Sequence, residues 1–270
     1  MVHVYMYFYR KRFKFILYFL IVSVIITLSS LINDIKSDLN GLYPITNHVI
    51  KNQQDWQMNL YKERIEQFKK HPIGNNKIVF LGNSITEGGG NWNEKFNVHN
   101  IVNRGISGDI TEGILVRLDE IIFYKPAAVF LLIGINDIFD IDIPNREKIT
   151  PIYVANNIIK IANQIIDNSA STEIFIQTIL PINHEIYIET NGFFPVHTVP
   201  LPDQISQINS IIKNQTDVEK YNVIDLHLAF INQDGLMKRE YTSDGIHLNN
   251  NGYGVWIKYI NSYIQNLQIK

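Results

Sequence analysis

Five short apolar, β-branched runs punctuate the chain at 78–81, 98–102, 127–133, 174–180 and 223–226. Helical apolar patterns at 111–123, 152–167, 204–214 and 253–267 lie between and after them. Strands that are apolar at nearly every position must be covered on both faces, and alternating strands and helices supply that cover. The pattern therefore predicts an α/β domain built on a parallel sheet.

An apolar stripe at Trp56, Leu60, Ile65 and Phe68 predicts a surface helix over 53–70, ending before His71 and Pro72. Residues 185–202 show no period and contain Gly192, Pro195, Pro200 and Pro202, which predicts a long loop.

The N-terminus has a different character. Arg10, Lys11, Arg12 and Lys14 precede an uncharged apolar run at 15–32, interrupted only by Ser23, Thr27, Ser29 and Ser30. At 1.5 Å per residue such a run can cross a hydrocarbon layer about 30 Å thick. Its length favours a transmembrane signal anchor, and a cleaved signal peptide is the alternative. Basic residues before the run place the N-terminus in the cytoplasm and the remainder outside it. The expected organisation is a basic segment at 1–14, the membrane segment at 15–32, a polar linker at 33–52 and one domain over 53–270.

Composition narrows the function. Net charge is −2, and no basic stripe interleaved with aromatics argues for a nucleic-acid partner. With no cysteine, disulfides, a thiol nucleophile and cysteine-ligated zinc are excluded. His184, His197 and His227 are scattered and lack metal-ligand spacing, which argues against a metallophosphoesterase. The three glycines at 88–90 fit neither a dinucleotide nor a P-loop fingerprint.

Ligands of open parallel sheets bind beyond the carboxyl ends of the strands. Gly82-Asn83-Ser84 follow the first run, "NRGISGD" (103–109) the second and "GIND" (134–137) the third, while "SDGIHLNNNGY" (243–253) precedes the last helix. Together they offer a hydroxyl, an imidazole, a carboxylate, a carboxamide and glycine amides. A serine needs a base, and His247 can serve as one. Asp244, three residues earlier, can hold the other ring nitrogen. The Ser84 amide, the Gly108 amide and the Asn136 side chain can donate to an oxyanion. A plainer reading of Ser84 exists, since Ser84 and Glu87 fit a capping box. Asn136 and Asp137 likewise fit a turn closing a strand.

These four blocks, in this order over 78–267, resemble the SGNH hydrolases, also called GDSL-type esterases. Within that family, "NRGISGD", "GIND" and "YTSDGIHLNNNGYGVW" are most similar to the bacterial branch near platelet-activating-factor acetylhydrolase subunits and sugar O-acetylesterases. The resemblance implies a flavodoxin-like three-layer α/β/α sandwich with a five-stranded parallel sheet and no required metal or other cofactor. By motif position it implies Ser84 as nucleophile, His247 as base, Asp244 as its orienting carboxylate, and Ser84, Gly108 and Asn136 as the oxyanion hole. Asp137 is expected to support rather than react. Asn83 departs from the family, which has aspartate there.

The implied activity is hydrolysis of a carboxylic ester, with a short acyl group on a small-molecule, glycan or lipid alcohol. An acyltransferase using the same site and a non-catalytic glycan-binding protein of the envelope are the competing expectations.

Overall fold

The computed structural model describes residues 18, 21–22, 24–25, 27–28, 39, 41–45, 48–143, 145–215 and 220–269. The chain divides into two units, Met1–Tyr43 and Pro44–Lys270. In the first, most of the apolar run at 15–32 lies outside the described residues, and its described members are helical. Among the described residues no helix is long and apolar enough to cross a membrane.

The second unit carries the sheet. Its strands are β1 (Ile78–Gly82), β2 (Ile101–Gly105), β3 (Ala128–Leu132), β4 (Glu173–Gln177) and β5 (Asn222–Ile224). All pair in parallel, in the order β2-β1-β3-β4-β5. This is the doubly wound order whose chain direction reverses between β1 and β3, where ligands bind. Every residue of β1 and β3 is buried, as continuous apolar runs require.

The helices are α1 (Asp55–Lys70), α2 (Ser84–Gly88), α3 (Trp92–Phe96), α4 (Thr111–Val116), α5 (Asp119–Tyr124), α6 (Ile135–Phe139), α7 (Pro151–Asn168), α8 (His184–Asn191), α9 (Leu201–Asn214), α10 (His227–Phe230) and α11 (Asn250–Ile269). Helix α7 packs against α4 and α9, whereas α11 packs against α3 and α10. Phe80, Phe130 and Phe175 stand side by side in register across β1, β3 and β4. Trp92, Phe96 and Trp256 cover Phe80, with ring centroids 4.7, 5.9 and 6.4 Å away. The Trp256 indole N–H, too deep for water, donates to Gln177 Oε1 at 2.7 Å.

Several boundaries depart from the periodicity. The second run was expected at 98–102, yet β2 starts at Ile101 because Val98 completes the end of α3. Asn97 is left-handed there (φ 53°), and the Val98 amide donates to Asn93 O. The pattern at 111–123 is two helices, because Arg117 leaves the helical conformation and turns its guanidinium inward to Asp109. The expected loop at 185–202 contains α8, capped by Asn183 Oδ1 accepting from the Ile186 amide. Helix α9 begins at Leu201, since a proline in the first turn has no intrahelical bond to lose. The buried stripe of α1 is Gln57, Tyr61, Ile65 and Phe68, and Trp56 and Leu60 are exposed.

Candidate active site

Helix α2 begins immediately beyond β1. Its N-cap is Asn83, whose side-chain oxygen accepts from the Ile85 amide at 3.0 Å. The capping-box reading of Ser84 and Glu87 therefore fails. Asn83 holds the cap, and the Glu87 carboxylate accepts instead from the amide and hydroxyl of Ser107, both at 2.7 Å. Ser84, as the first helical residue, has a backbone N–H that no intrahelical carbonyl can reach. Its hydroxyl is left free to meet a partner from elsewhere in the chain.

That partner is His247, 163 residues away in sequence, with Ser84 Oγ 2.9 Å from Nε2. The imidazole Nδ1 lies 2.7 Å from Asp244 Oδ2. Asp244 Oδ1 accepts from the amides of Ile246 and His247 at 2.9 and 2.7 Å. Partial burial opposes ionisation of Asp244. The imidazole and the two amides together outweigh it and hold the carboxyl down at about 2. Asp244 is thus an anion at neutral pH, which fixes the proton of neutral His247 on Nδ1 and leaves Nε2 as an acceptor toward Ser84.

The turn carrying His247 is braced. The Thr242 hydroxyl donates to His247 O at 2.7 Å and accepts from the Gly245 amide at 2.8 Å. The Tyr253 hydroxyl donates to Ile85 O at 2.8 Å, tying α11 to α2.

The loop after β2 makes a tight turn in which the Asp109 amide donates to Ile106 O at 3.0 Å. Gly108 sits at its third position with φ +77°, the conformation a type II turn demands there. A Cβ at Gly108 would lie 2.8 Å from the Trp56 ring. The Gly108 amide has no acceptor among the described residues. Gly105, at the end of β2, lets that strand touch α2, since a Cβ there would lie 2.2 Å from the Glu87 amide nitrogen.

Asn136, in the first turn of α6, donates one Nδ2 hydrogen to Asp109 O at 2.9 Å. The amide keeps a second hydrogen for a ligand. Ser84, Gly108, Asn136, Asp244 and His247 all line one cleft of about 520 Å³. The structure therefore brings together every residue that the motifs single out.

Two buried carboxylates stand behind this cleft. Asp137 accepts from the Thr111 amide and hydroxyl, and burial pushes it up to about 7 despite those bonds. Asp109 is paired with Arg117 at 2.9 Å, and burial pushes it up to about 6 against the pull of the guanidinium. Their neighbours in sequence are Asn136 and Gly108, so this network holds the backbone next to both. His227 is structural, with Nδ1 2.8 Å from Ile179 O. No group of metal-ligating side chains occurs among the described residues.

Trp56, Phe139, Asp140, Tyr187 and Asn191 also line the cleft. Sequence reasoning gave them no part. Trp56 stood out only as a member of an apolar stripe, and its half-exposed ring was the missing signal.

Comparison with known proteins identifies the family and the fold. The GDSL-like lipase/acylhydrolase family model matches residues 80–255. No curated protein matches the chain. Among solved structures, the chain is similar to a Streptococcus pneumonia protein assigned provisionally as a platelet activating factor. Identity is 26% and the TM-score 0.62, covering 77% of this chain and 92% of the other. A GDSL-like lipase from Bacteroides thetaiotaomicron VPI-5482 shares 22% identity at a TM-score of 0.61, covering 76% and 97%. A mutant acetyl-xylooligosaccharide esterase from Geobacillus Stearmophilus shares 18% identity at 0.54, covering 72% and 95%. The chain belongs to the GDSL-like lipase/acylhydrolase family, the SGNH hydrolases, and is a carboxylic ester hydrolase.

Proposed function

We propose that the chain is a serine esterase that removes a short acyl group through Ser84, His247 and Asp244. The observation that carries this reading is the unbroken hydrogen-bond chain from Ser84 Oγ through the His247 ring to the Asp244 carboxylate, at 2.9 and 2.7 Å. Ser84 Oγ attacks the ester carbonyl carbon while His247 Nε2 takes the hydroxyl proton. The carbonyl oxygen becomes an oxyanion, accepting from the Ser84 amide, the Gly108 amide and the free Asn136 hydrogen. Collapse breaks the bond to the alcohol oxygen, which takes the proton from His247 and departs. Water, deprotonated by His247, then cleaves the acyl-serine by the same steps in reverse.

The short acyl group rests on the sequence resemblance to sugar O-acetylesterases. Its test is hydrolysis of p-nitrophenyl esters of graded chain length by the full-length chain. Acetate and propionate should be cleaved fastest. A rate that climbs toward the long-chain esters would contradict the short-acyl assignment.

Asn136→Ala should lower kcat by about 10²-fold with KM little changed, because the lost bond matters most once charge develops on oxygen. Steady-state kinetics on p-nitrophenyl acetate check this. An equal loss confined to KM would remove Asn136 from the oxyanion hole.

A further inference from the structure

In the proposed reaction the oxyanion needs the Ser84 and Gly108 amides at once, each about 2.7–3.1 Å from the same oxygen. The two donors belong to separate segments. Ser84 opens α2, whereas Gly108 lies in the turn after β2 that runs from Ile106 to Asp109. A contact between the segments must keep the donors at a working separation.

Glu87 makes that contact. Its amide donates to Asn83 O at 2.9 Å, so it is fixed to the turn of helix that carries Ser84. Its Oε2 accepts from both the amide and the hydroxyl of Ser107, each at 2.7 Å. Its Oε1 lies 3.3 Å from Arg64 Nε, and the same nitrogen donates to Gly105 O at 3.0 Å. Arg64 belongs to α1. Through this one carboxylate, α1, α2 and the end of β2 are all tied to the residue preceding Gly108.

The tie matters because of the type of turn. Types I and II differ in the orientation of the peptide between the second and third residues, by about 180°. Here that peptide is Ser107–Gly108, and its N–H is the Gly108 donor. Gly108, at φ +77°, adopts the type II form. A flipped peptide would present the Ser107 carbonyl where the N–H had been, and a carbonyl repels an oxyanion. The Glu87 bonds hold the backbone nitrogen and the side chain of Ser107, one of the two residues about which the peptide would have to turn.

Resting on the oxyanion hole of the esterase reading above, we propose that Glu87 is a positioning residue for the reaction. It anchors Ser107 so that the Gly108 amide stays beside the Ser84 amide while charge develops on the carbonyl oxygen. Glu87 touches no reacting atom itself, and it is not among the residues that line the cleft.

The test uses the full-length chain, p-nitrophenyl acetate and a short alkyl trifluoromethyl ketone. Ser84 Oγ adds to the ketone carbon, its proton passes to His247, and the ketone oxygen becomes an alkoxide in the hole. Glu87→Ala should lower kcat by about tenfold with KM little changed, because a donor is displaced rather than removed. The inhibition constant of the ketone should rise by a similar factor. Glu87→Gln keeps an oxygen that accepts from Ser107 and should recover most of both losses. Ser107→Ala, which loses only the hydroxyl bond, should lower kcat by about threefold. A loss confined to KM, a kcat loss with unchanged ketone affinity, or a loss that glutamine does not recover would each overturn the assignment. So would a lowered melting temperature with wild-type kcat, which would make Glu87 a structural residue only. If Glu87→Ala does not fold, Ser107→Ala decides, and wild-type kcat and ketone affinity in that variant would overturn the assignment. If the unsubstituted chain cleaves p-nitrophenyl acetate and this pattern fails, only the role of Glu87 falls; if it does not cleave the ester, the esterase reading falls and takes the assignment with it.

Discussion

Replacing Ser84 by alanine is expected to lower kcat on p-nitrophenyl acetate by on the order of 10³-fold or more, with an unchanged melting temperature. The two halves of this expectation have separate causes. Among the described residues, it is the hydroxyl that His247 Nε2 contacts, 2.9 Å away. Its removal leaves oxyanion donors that can still polarise a carbonyl but have no nucleophile to pair with. Stability is spared because the local fold does not depend on that oxygen. The cap of α2 is Asn83, not Ser84, and alanine is well suited to a helix. A variant that loses activity together with several degrees of melting temperature would mean that the serine has a structural role instead.

The second large effect concerns stability. Arg117→Ala should destabilise the domain by about 3–5 kcal/mol at pH 7.5, because it strands a buried carboxylate. Asp109 is fully buried and Arg117 nearly so, with side-chain exposures of 0% and 3%. Arg117 Nη2 also donates to Gly82 O at 3.2 Å, so the same cation ties the end of β1 to the loop bearing Gly108.

The pH dependence identifies the mechanism. Burial already raises the Asp109 pKa in the native state, and loss of the cation raises it further. Over the interval from the unfolded carboxyl value of about 3.9 up to the raised native value, the native state holds a proton that the unfolded state has lost. Stability of the variant should therefore fall as pH rises through that interval, and most of the deficit should disappear near pH 5. Urea titrations of both proteins at pH 5 and 7.5 measure this. A deficit of equal size at the two pH values would assign the loss to packing rather than to the unpaired charge.

How much of this was visible in the sequence depends on whether the determinant is local. Ser84, Gly108 and Asn136 each follow an apolar run closely, and a parallel sheet brings such positions to one edge whatever the details of packing. Asp244 and His247 are three residues apart, so their pairing needs only a turn. The fold class was legible for the same reason, since buried strands show themselves by composition alone.

The misses are non-local. Nothing in α1 distinguishes Trp56 from a core residue until β2 and its loop are in place, when the ring comes to rest over Gly108. Asp140 and the helix α8 that carries Tyr187 and Asn191 start 44 residues apart, from 140 to 184, and line one cleft only once the chain is folded, with α8 docked on the His247 turn. Arg117 read as one residue of an amphipathic helix. Its inward turn is fixed by the partner it finds in Asp109. Asn83 was legible as a departure from the family, but that its side chain caps α2 was not.

Ser84 Oγ is the atom expected to attack, and the residue that a serine-directed phosphonylating reagent modifies tests this most directly. Incubation of the full-length chain with a fluorophosphonate, followed by peptide mass spectrometry, reads this out. The account predicts a single stoichiometric adduct on the peptide containing Ser84, formed far more slowly in His247→Ala. An adduct on another residue, or labelling of Ser84 at the same rate without the imidazole, would contradict it.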